Sequence, residues 1–326
     1  MKKRLLALLL GSAVLSTLSP ALAKDTGYLF ISSEKDNSIM VMDSGDFSVI
    51  KVIPTADRPR HMAFNADHSL IYAACGDGES IDIIDVARLE VTDRIEDIDD
   101  PEAFDLSPDG GMMYLSLEDE GALGFIDLAS KALVAEVEVG EEPEGVLTGP
   151  DGKTVYVTSE VANTVHLVDT ANRELKANIV VGKRPRRFAL TPDNLELWVT
   201  SELDASVSII NLADNTVREV IRFEPKGFRR EQVTPVGIVM TADGRGAWVA
   251  LGRSNHVAYV DVASRKVEDY ILVGNRAWNV TLNRDESRLY VVNGLSDDLS
   301  VIDTGSRKVI RSVPAGRVPY MALIDD

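Results

Sequence analysis

The sequence predicts an all-β fold, a seven-bladed β-propeller made of four-stranded antiparallel blades. Three observations lead to this prediction. The chain repeats itself about every 42 residues, each repeat contains four short strand signals, and helical periodicity is absent after the N-terminal leader. Units of ~40–45 residues with four strands are typical of propeller blades, whose radial arrangement leaves only short, protected strand edges.

The N-terminal segment 1–23 has the pattern of a secretory signal peptide. Three cations within the first four residues precede an apolar run at 5–18, and the Ala-Leu-Ala at 21–23 provides a cleavage site of small residues. The apolar run is too short to cross a bilayer, which takes about 20 residues. We therefore expect a cleaved leader, one domain over residues 24–326, no membrane insertion and a periplasmic or secreted location.

Composition narrows the classes of function. The formal net charge of −18 at pH 7 opposes binding to nucleic acid and to anionic membrane surfaces. Cys75 is the only cysteine, so an internal disulfide and covalent attachment of a c-type haem are both excluded. Stability must then come from burial of the core.

Four anchor positions recur in one register and define the repeats. An Asp or Asn follows a pair of apolar residues at Asp43, Asp85, Asp127, Asp169, Asn211, Asp261 and Asp303. An aromatic residue recurs at Phe30, Tyr72, Tyr114, Tyr156, Trp198, Trp248 and Tyr290. A proline, replaced once by alanine, recurs at Pro59, Pro101, Pro143, Pro185, Pro235, Ala277 and Pro319. A second set of turn aspartates is Asp67, Asp109, Asp151, Asp193, Asp243 and Asp285.

The spacing is uniform except for one insertion at about 225–232. We interpret both aspartate sets as structural, because Asp in a turn accepts hydrogen bonds from nearby backbone N–H groups. Trp198 and Trp248 stand in place of the recurring tyrosine and are predicted to lie in the core. Cys75 is predicted to be an inert buried thiol.

The order of strand signals predicts how the ring closes. Each repeat reads as strands a, b, c and d. The chain after the leader begins with signals of type b (28–31), c (39–42) and d (49–53), and it ends with a signal of type a (320–324). We therefore expect one blade to combine three N-terminal strands with one C-terminal strand, a closure that we call the clasp.

Several short segments carry a family resemblance. They are YVVN at 290–293, YVTS at 156–159, SPDG at 107–110 and VIDT at 301–304. On these motifs the whole chain after the leader resembles the YVTN-type β-propeller repeat family, which implies the same fold.

A narrower resemblance is carried by PKGFRRE at 225–231, VTPVG at 233–237, and DYILVG at 269–274 with RAW at 276–278. On these segments the chain is similar to the β-propeller proteins associated with pyrroloquinoline quinone (PQQ)-dependent catabolism. That resemblance implies a periplasmic accessory of PQQ-linked alcohol oxidation, with a PQQ-dependent dehydrogenase or a transport component as partner. It implies no catalytic residues.

The segments that join strand d to the next strand a, here called the d–a loops, are predicted to surround the mouth of the central channel. They collect an unusual number of cations and aromatic rings for an acidic chain: Arg58, Arg60, His61, Arg184, Arg186, Arg187, Arg276, Trp278 and Tyr320. The insertion adds Arg229 and Arg230 on the same face. Glu102 and Glu144 come from two other blades, so we expect a mouth divided into a basic and an acidic side.

Two interpretations of this face remain open. Arginine suits planar, bidentate recognition of carboxylates, so the mouth is predicted to bind an anionic ligand, of which PQQ is one candidate, or the surface of a partner protein. Alternatively, the arginines and glutamates only pair with one another around the rim.

Enzymatic and metal-binding functions are less well supported by the sequence. A lactonase-like hydrolase that uses His61, Glu102, Glu144 and Arg186 is the alternative function. The acidic loops between strands b and c, here the b–c loops, suggest a basic partner or Ca²⁺, but their spacing is not that of an EF-hand. We therefore predict a binding or scaffold protein without a metal or an obligatory cofactor.

Overall fold

The computed structural model describes residues 25–326, so the predicted leader lies outside the described residues. The strands in chain order are β1 (Tyr28–Ser33), β2 (Ser38–Asp43), β3 (Val49–Pro54), β4 (Pro59–Phe64), β5 (Leu70–Cys75), β6 (Ser80–Asp85), β7 (Glu90–Ile95), β8 (Pro101–Leu106), β9 (Met112–Leu117), β10 (Ala122–Asp127), β11 (Ala132–Glu138), β12 (Pro143–Thr148), β13 (Thr154–Ser159), β14 (Thr164–Asp169), β15 (Glu174–Val180), β16 (Pro185–Leu190), β17 (Glu196–Ser201), β18 (Ser206–Asn211), β19 (Thr216–Arg222), β20 (Ile238–Met240), β21 (Gly246–Ala250), β22 (His256–Asp261), β23 (Lys266–Leu272), β24 (Ala277–Leu282), β25 (Arg288–Asn293), β26 (Asp298–Asp303), β27 (Lys308–Pro314) and β28 (Pro319–Asp325).

These strands form seven four-stranded antiparallel sheets, which confirms the predicted seven-bladed propeller. Blades I to VI each take four consecutive strands, from β4–β7 to β24–β27, and blade VII has the order β28-β1-β2-β3. The helical content of the described residues is two short 3₁₀ turns, Glu202–Asp204 and Arg230–Gln232. None of the helices in residues 25–326 is long and apolar enough to span a membrane.

The clasp is formed as expected. Strand β28 pairs antiparallel with β1, and the register places Leu29 opposite Ile324 and Ile31 opposite Ala322. The buried Asp325 carboxylate accepts hydrogen bonds from the Thr26 N–H at 3.0 Å and the Thr26 hydroxyl at 2.7 Å. The two ends of the domain are thus tied by backbone and side-chain bonds.

The core lies between neighbouring blades. Trp198 and Trp248 are fully buried, which confirms their predicted place in the core. Each packs in a cluster that joins residues of adjacent sheets, because one blade face alone cannot exclude water. Cys75 is buried, and burial raises the pKa of its thiol, as expected for an inert cysteine.

The turn aspartates have the structural role predicted for them. At the c–d turns, Oδ1 of Asp127 accepts the Ser130 N–H at 2.7 Å, and Oδ1 of Asp261 accepts the Ser264 N–H at 2.8 Å. At the a–b turns, Oδ1 of Asp67 accepts the Ser69 N–H at 3.0 Å. These carboxylates are part of the blade and not of a site.

The d–a loops are held in one conformation from blade to blade. In six of the seven repeats the residue before the anchor position has a positive φ, for example 57° at Arg58, 54° at Arg184 and 58° at Arg276. The Arg276 carbonyl accepts the Gly294 N–H at 3.0 Å, and the Arg276 N–H donates to Asn255 of the preceding blade at 2.9 Å. The side chains at the channel mouth therefore project from a rigid frame.

Candidate binding site at the channel mouth

The innermost strands bring side chains from distant parts of the chain together in the central channel. The residue after the repeat proline occupies equivalent places in the blades: Arg60, Glu102, Glu144, Arg186, Val236, Trp278 and Tyr320. The Tyr320 hydroxyl in β28 lies 3.2 Å from Oε1 of Glu144 in β12, which belongs to a blade on the far side of the ring. The channel is therefore narrow enough at this level for side chains to meet across it.

A buried ionic network fills the channel at this level. We call it the central network and define it as Arg60, Glu102, Glu144, Arg186, Arg187 and Tyr320. Glu144 pairs with Arg186 at 3.1 Å and with Arg187 at 2.9 Å, while Glu102 pairs with Arg60 and Arg58. Arg187 also donates to the Tyr320 hydroxyl. Glu102 is 0% and Glu144 is 3% exposed, so these are buried pairs.

This arrangement corrects the expectation of a mouth divided into a basic and an acidic side. Glutamates from blades II and III contact arginines from blades I and IV directly, so most of their charge is compensated inside the channel. Arg60, Arg186 and Arg187 therefore pair with glutamates, as the second interpretation of this face expects. The pairs are buried in the channel, however, and not exposed at a rim.

The network fixes the protonation of its members. Burial would raise the pKa of Glu144, but the charges of Arg186, Arg187 and Arg60 outweigh it and hold that pKa well below its usual range. Burial raises the pKa of Tyr320, whose hydroxyl stays protonated. Burial, with the nearby Arg187, lowers the pKa of His61 to about 3, so its ring is neutral at physiological pH.

Above the network, towards the d–a loops, a small cavity remains that we call the mouth pocket. It has a volume of about 190 Å³ and is lined by Glu34, Arg60, Arg276, Gly294, Leu295, Val318, Pro319 and by the rings of Trp278 and Tyr320. The two rings lie 5.7 Å apart between centroids, and the Arg60 guanidinium stacks over Tyr320 at 4.3 Å. The pocket therefore offers aromatic faces and cations together.

Arg276 differs from the other arginines of the mouth. It is half-buried, its guanidinium lies over Trp278 at 4.6 Å, and within residues 25–326 it has no carboxylate within ion-pair distance. Burial lowers its pKa and Arg253 and Arg186 lower it further, against the attraction of the Glu202 and Glu34 carboxylates. The buried Trp278 Nε1–H also has no hydrogen-bond partner among the described residues. The Arg276 guanidinium therefore lacks an ion-pair partner, and the Trp278 Nε1–H lacks a hydrogen-bond acceptor, among the described residues.

The remaining predicted residues lie outside the mouth pocket. Arg58 contacts Glu102 and Asp100, and Arg184 contacts Glu160 at 2.6 Å, so both support the network from its edge. Arg230 pairs with Asp204, which also contacts Arg222 at the end of an outermost strand. Arg229 is largely exposed and pairs with Glu231. The insertion therefore packs on a neighbouring b–c loop, away from the pocket.

His61 lies on the other side of the central network. Its ring packs edge-on against Phe104, and both line the cavity at the opposite end of the channel. Arginines hold Glu144 ionised, and Glu102 pairs with Arg58 and Arg60, so neither faces His61 as a free acid or base. This geometry does not favour the lactonase-like alternative.

The residues best placed for a metal ion are Asp100, Glu102 and Glu118, whose carboxylate oxygens lie within 4.8 Å of one another. Glu102 already pairs with two arginines. Burial raises the pKa of Glu118 to about 8, and Glu102 adds to the shift, so at neutral pH the cluster retains a proton. The arginines and the proton therefore neutralise negative charge that would otherwise attract a metal cation to these carboxylates.

Sequence reasoning missed Arg253, which acts on Arg276 from a b–c loop. The equivalent position is a cation in one other repeat, at Lys35, and is acidic or apolar in the remaining five, so the sequence did offer a signal here. Glu34 belongs to one of the acidic b–c loops, and the structure places it in the lining of the mouth pocket, 3.5 Å from Arg60.

Comparisons with known proteins support the fold. No protein-family model matches the chain, and no curated protein matches it in sequence. Among solved structures it is similar to the hydrazine synthase of Kuenenia stuttgartiensis, with 20% identity, a TM-score of 0.76, and 90% of this chain and 99% of that chain covered. It is also similar to a functionally unknown protein from Desulfotomaculum acetoxidans, with 17% identity, a TM-score of 0.78, and 92% and 99% covered.

A third similar structure is the dihydro-heme d1 dehydrogenase NirN, with 14% identity, a TM-score of 0.70, and 91% of this chain and 75% of that chain covered. At such identities the likeness concerns the propeller fold alone.

Proposed function

We propose that this chain is a binding propeller without catalytic function that holds a carboxylate in the mouth pocket, against Arg276 and Trp278. The observation that carries this proposal is the half-buried Arg276 guanidinium, which has no carboxylate partner within the described residues while the other channel arginines do. A cation that has lost part of its hydration and has no carboxylate within ion-pair distance gains most from an incoming anion.

The surroundings of Arg276 favour a ligand with a flat apolar part beside its charge. Trp278 and Tyr320 offer adjacent ring faces, and the Trp278 Nε1–H is a second donor without an acceptor among residues 25–326. A volume of about 190 Å³ lies below the ~300–1,000 Å³ usual for drug-sized ligands. The pocket therefore suits a small aromatic acid, or one carboxylate-bearing portion of a larger partner.

The central network supports such binding by keeping the pocket rigid. Arg60 and Arg186, which stack on the two rings, are each anchored to a buried glutamate. Rings and cations that are already ordered lose little entropy when a ligand arrives, and preorganisation of this kind raises affinity.

The resemblance to YVTN-type repeats and to the propellers associated with PQQ-dependent catabolism gives this function a context. It supports a periplasmic accessory that serves a PQQ-linked dehydrogenase or a transport component. PQQ carries three carboxylates on an aromatic core, so its chemistry suits Arg276 and Trp278. The pocket volume suits entry of only one carboxylate-bearing portion of that molecule, with the remainder above the d–a loops.

Calorimetric titration of the purified domain with benzoate, acetate, PQQ and uncharged benzyl alcohol tests the proposal. We expect benzoate and PQQ to bind at a 1:1 ratio, acetate to bind more weakly, and any binding of benzyl alcohol to be the same in Arg276→Met as in the unmodified protein. Arg276→Met should weaken benzoate binding about 10- to 100-fold, because a charged hydrogen bond contributes ~1.5–3 kcal/mol.

The matched control is Arg245→Met, which removes an exposed arginine that pairs only with a turn aspartate. This control should bind benzoate as tightly as the unmodified protein. If neither benzoate nor PQQ binds, or if Arg276→Met binds them undiminished, the mouth pocket is not a carboxylate site.

A further inference from the structure

A second cavity lies at the opposite end of the channel, beyond the central network. It has a volume of about 500 Å³, and we call it the lower cavity. All seven innermost strands contribute to its wall, and the a–b turn after β24 closes one side. It is separated from the mouth pocket by the buried pairs of Glu144 with Arg186 and Arg187.

The wall of the lower cavity is mainly apolar and incompletely covered. Met240, Leu282 and Leu323 line it from three different strands and are only half-buried, as are Val239 and Met321. Because these side chains are only half-buried, part of their apolar surface is in contact with solvent. Covering that surface with an apolar molecule is favourable by roughly 25 cal/mol per Å².

The polar groups at the floor, Arg187 and Asp105, already have hydrogen-bond partners within the chain. The Arg187 guanidinium is bound by Oε1 of Glu144 at 2.9 Å, by the Glu144 carbonyl at 3.2 Å and by the Tyr320 hydroxyl. Asp105 accepts the Thr148 N–H at 2.7 Å, and burial raises the pKa of its carboxyl. An anionic ligand would therefore meet no uncompensated cation at this floor.

His61 is the exception among these polar groups. Its Nδ1 atom is buried without a hydrogen-bond partner within residues 25–326, the Phe104 backbone acts on the ring, and the exposed edge of the half-buried ring borders the cavity. The depressed pKa, about 3, keeps the ring neutral. A neutral imidazole nitrogen can donate or accept according to its tautomer, and a hydroxyl group can match either role.

We propose that the lower cavity is a second binding site, which takes an uncharged, mainly apolar molecule that carries a hydroxyl group and bonds it to His61. The site is independent of the carboxylate site in the mouth pocket, because the central network stands between them. The chain thereby has two ligand sites of opposite chemistry on one axis.

The test uses three ligands that share one ring system: 1-naphthol, naphthalene and 1-naphthoate. We expect 1-naphthol to bind the purified domain at a 1:1 ratio in this cavity, measured by calorimetry or by its own fluorescence. Naphthalene should bind about 2- to 10-fold more weakly, since one hydrogen bond contributes ~0.5–1.5 kcal/mol net. His61→Leu should remove that difference between naphthol and naphthalene.

Met240→Lys places a charge in the wall and should abolish naphthol binding, whereas the matched variant Met240→Leu keeps the wall apolar and should retain it. Leu282→Lys, on another strand, replaces the first variant if that one does not fold. Arg276→Met should leave naphthol binding unchanged, which separates this proposal from that for the mouth pocket.

Three results would overturn the inference. They are failure of naphthol to bind, binding of naphthol that survives both lysine substitutions in folded protein, and a preference for naphthalene or 1-naphthoate over naphthol in the Arg276→Met protein, which lacks the carboxylate site of the mouth pocket. The first two reject the site, and the third rejects the chemistry assigned to it.

Discussion

At the scale of single residues, the central network places charged side chains where water cannot solvate them, so their stability depends on one another. Glu144 is 3% exposed and Arg186 is 3% exposed. Removing one member of a buried ion pair leaves its partner desolvated and unpaired, which costs about 3–5 kcal/mol. The network therefore contributes to function only because the surrounding propeller is stable enough to hold it.

Glu144→Gln tests this view of the network. We expect it to lower the free energy of unfolding by about 3–5 kcal/mol at pH 7, because Arg186 and Arg187 lose their shared carboxylate. The folded-state pKa of Glu144 is depressed, so the stabilisation is complete above the unfolded pKa, near 4.3, and is lost as the pH falls. The difference between the variant and the unmodified protein should therefore shrink below about pH 4.

Denaturant unfolding monitored by tryptophan fluorescence measures both effects. Glu141→Gln, at an exposed neighbouring position, is the control and should change stability by less than about 0.5 kcal/mol. A Glu144→Gln protein as stable as that control at pH 7 would show that the network carries little energy.

The same residues show how far sequence reasoning reached at this scale. The repeat register placed Arg60, Arg186, Trp278 and Tyr320 around one axis, because equivalent positions in a ring must share it. It could not predict that Tyr320 and Glu144 touch, since that contact depends on channel width and on the directions of long side chains. The sequence also could not predict that Arg276 lacks an ion-pair partner, because this depends on which carboxylates the other arginines contact in the folded protein.

At the scale of elements, the clasp carries the closure of the ring. Strand β28 is at once the inner strand of blade VII and a wall of the channel. Its pairing with β1 and the bonds from Thr26 to Asp325 replace the covalent continuity that the other blades have. The order of strand signals was enough to predict this closure, because an orphan a-type strand at one terminus needs the b, c and d strands at the other.

Deletion of residues 320–326 should lower the melting temperature by more than about 10 °C, since it removes a complete inner strand and opens the ring. Thermal unfolding followed by circular dichroism is the measurement. Tyr320→Phe serves as the control, because it removes the hydroxyl contacts of the network while leaving the strand in place. If the truncated protein has the same melting temperature as this control, the clasp does not stabilise the ring.

The insertion at 225–232 shows what the sequence left open at the scale of elements. The broken spacing of the repeat showed where in the sequence the insertion lies, but it did not show which part of the propeller the insertion packs against. Phe228 packs against His256 at 5.3 Å between ring centroids, and Arg230 pairs with Asp204. These local contacts hold the segment against blades IV and V, so Arg229 and Arg230 do not join the mouth pocket.

At the scale of the whole molecule, the central network divides the channel into two compartments. The mouth pocket has an uncompensated cation and two aromatic faces, whereas the lower cavity has an apolar wall and an arginine that is already paired with Glu144. Many of the acidic residues lie in turns and b–c loops, so the net charge of −18 does not predict the chemistry of either compartment. The fold followed from the repeat, but the two compartments follow from how charges pair inside it.

A crystal structure of the domain with benzoate and 1-naphthol present together tests this two-compartment account most directly. We expect benzoate density beside Arg276 and Trp278, 1-naphthol density beside His61 in the lower cavity, and the pairs of Glu144 with Arg186 and Arg187 intact between them. Both ligands in one compartment, or an open channel with these pairs broken, would contradict the account.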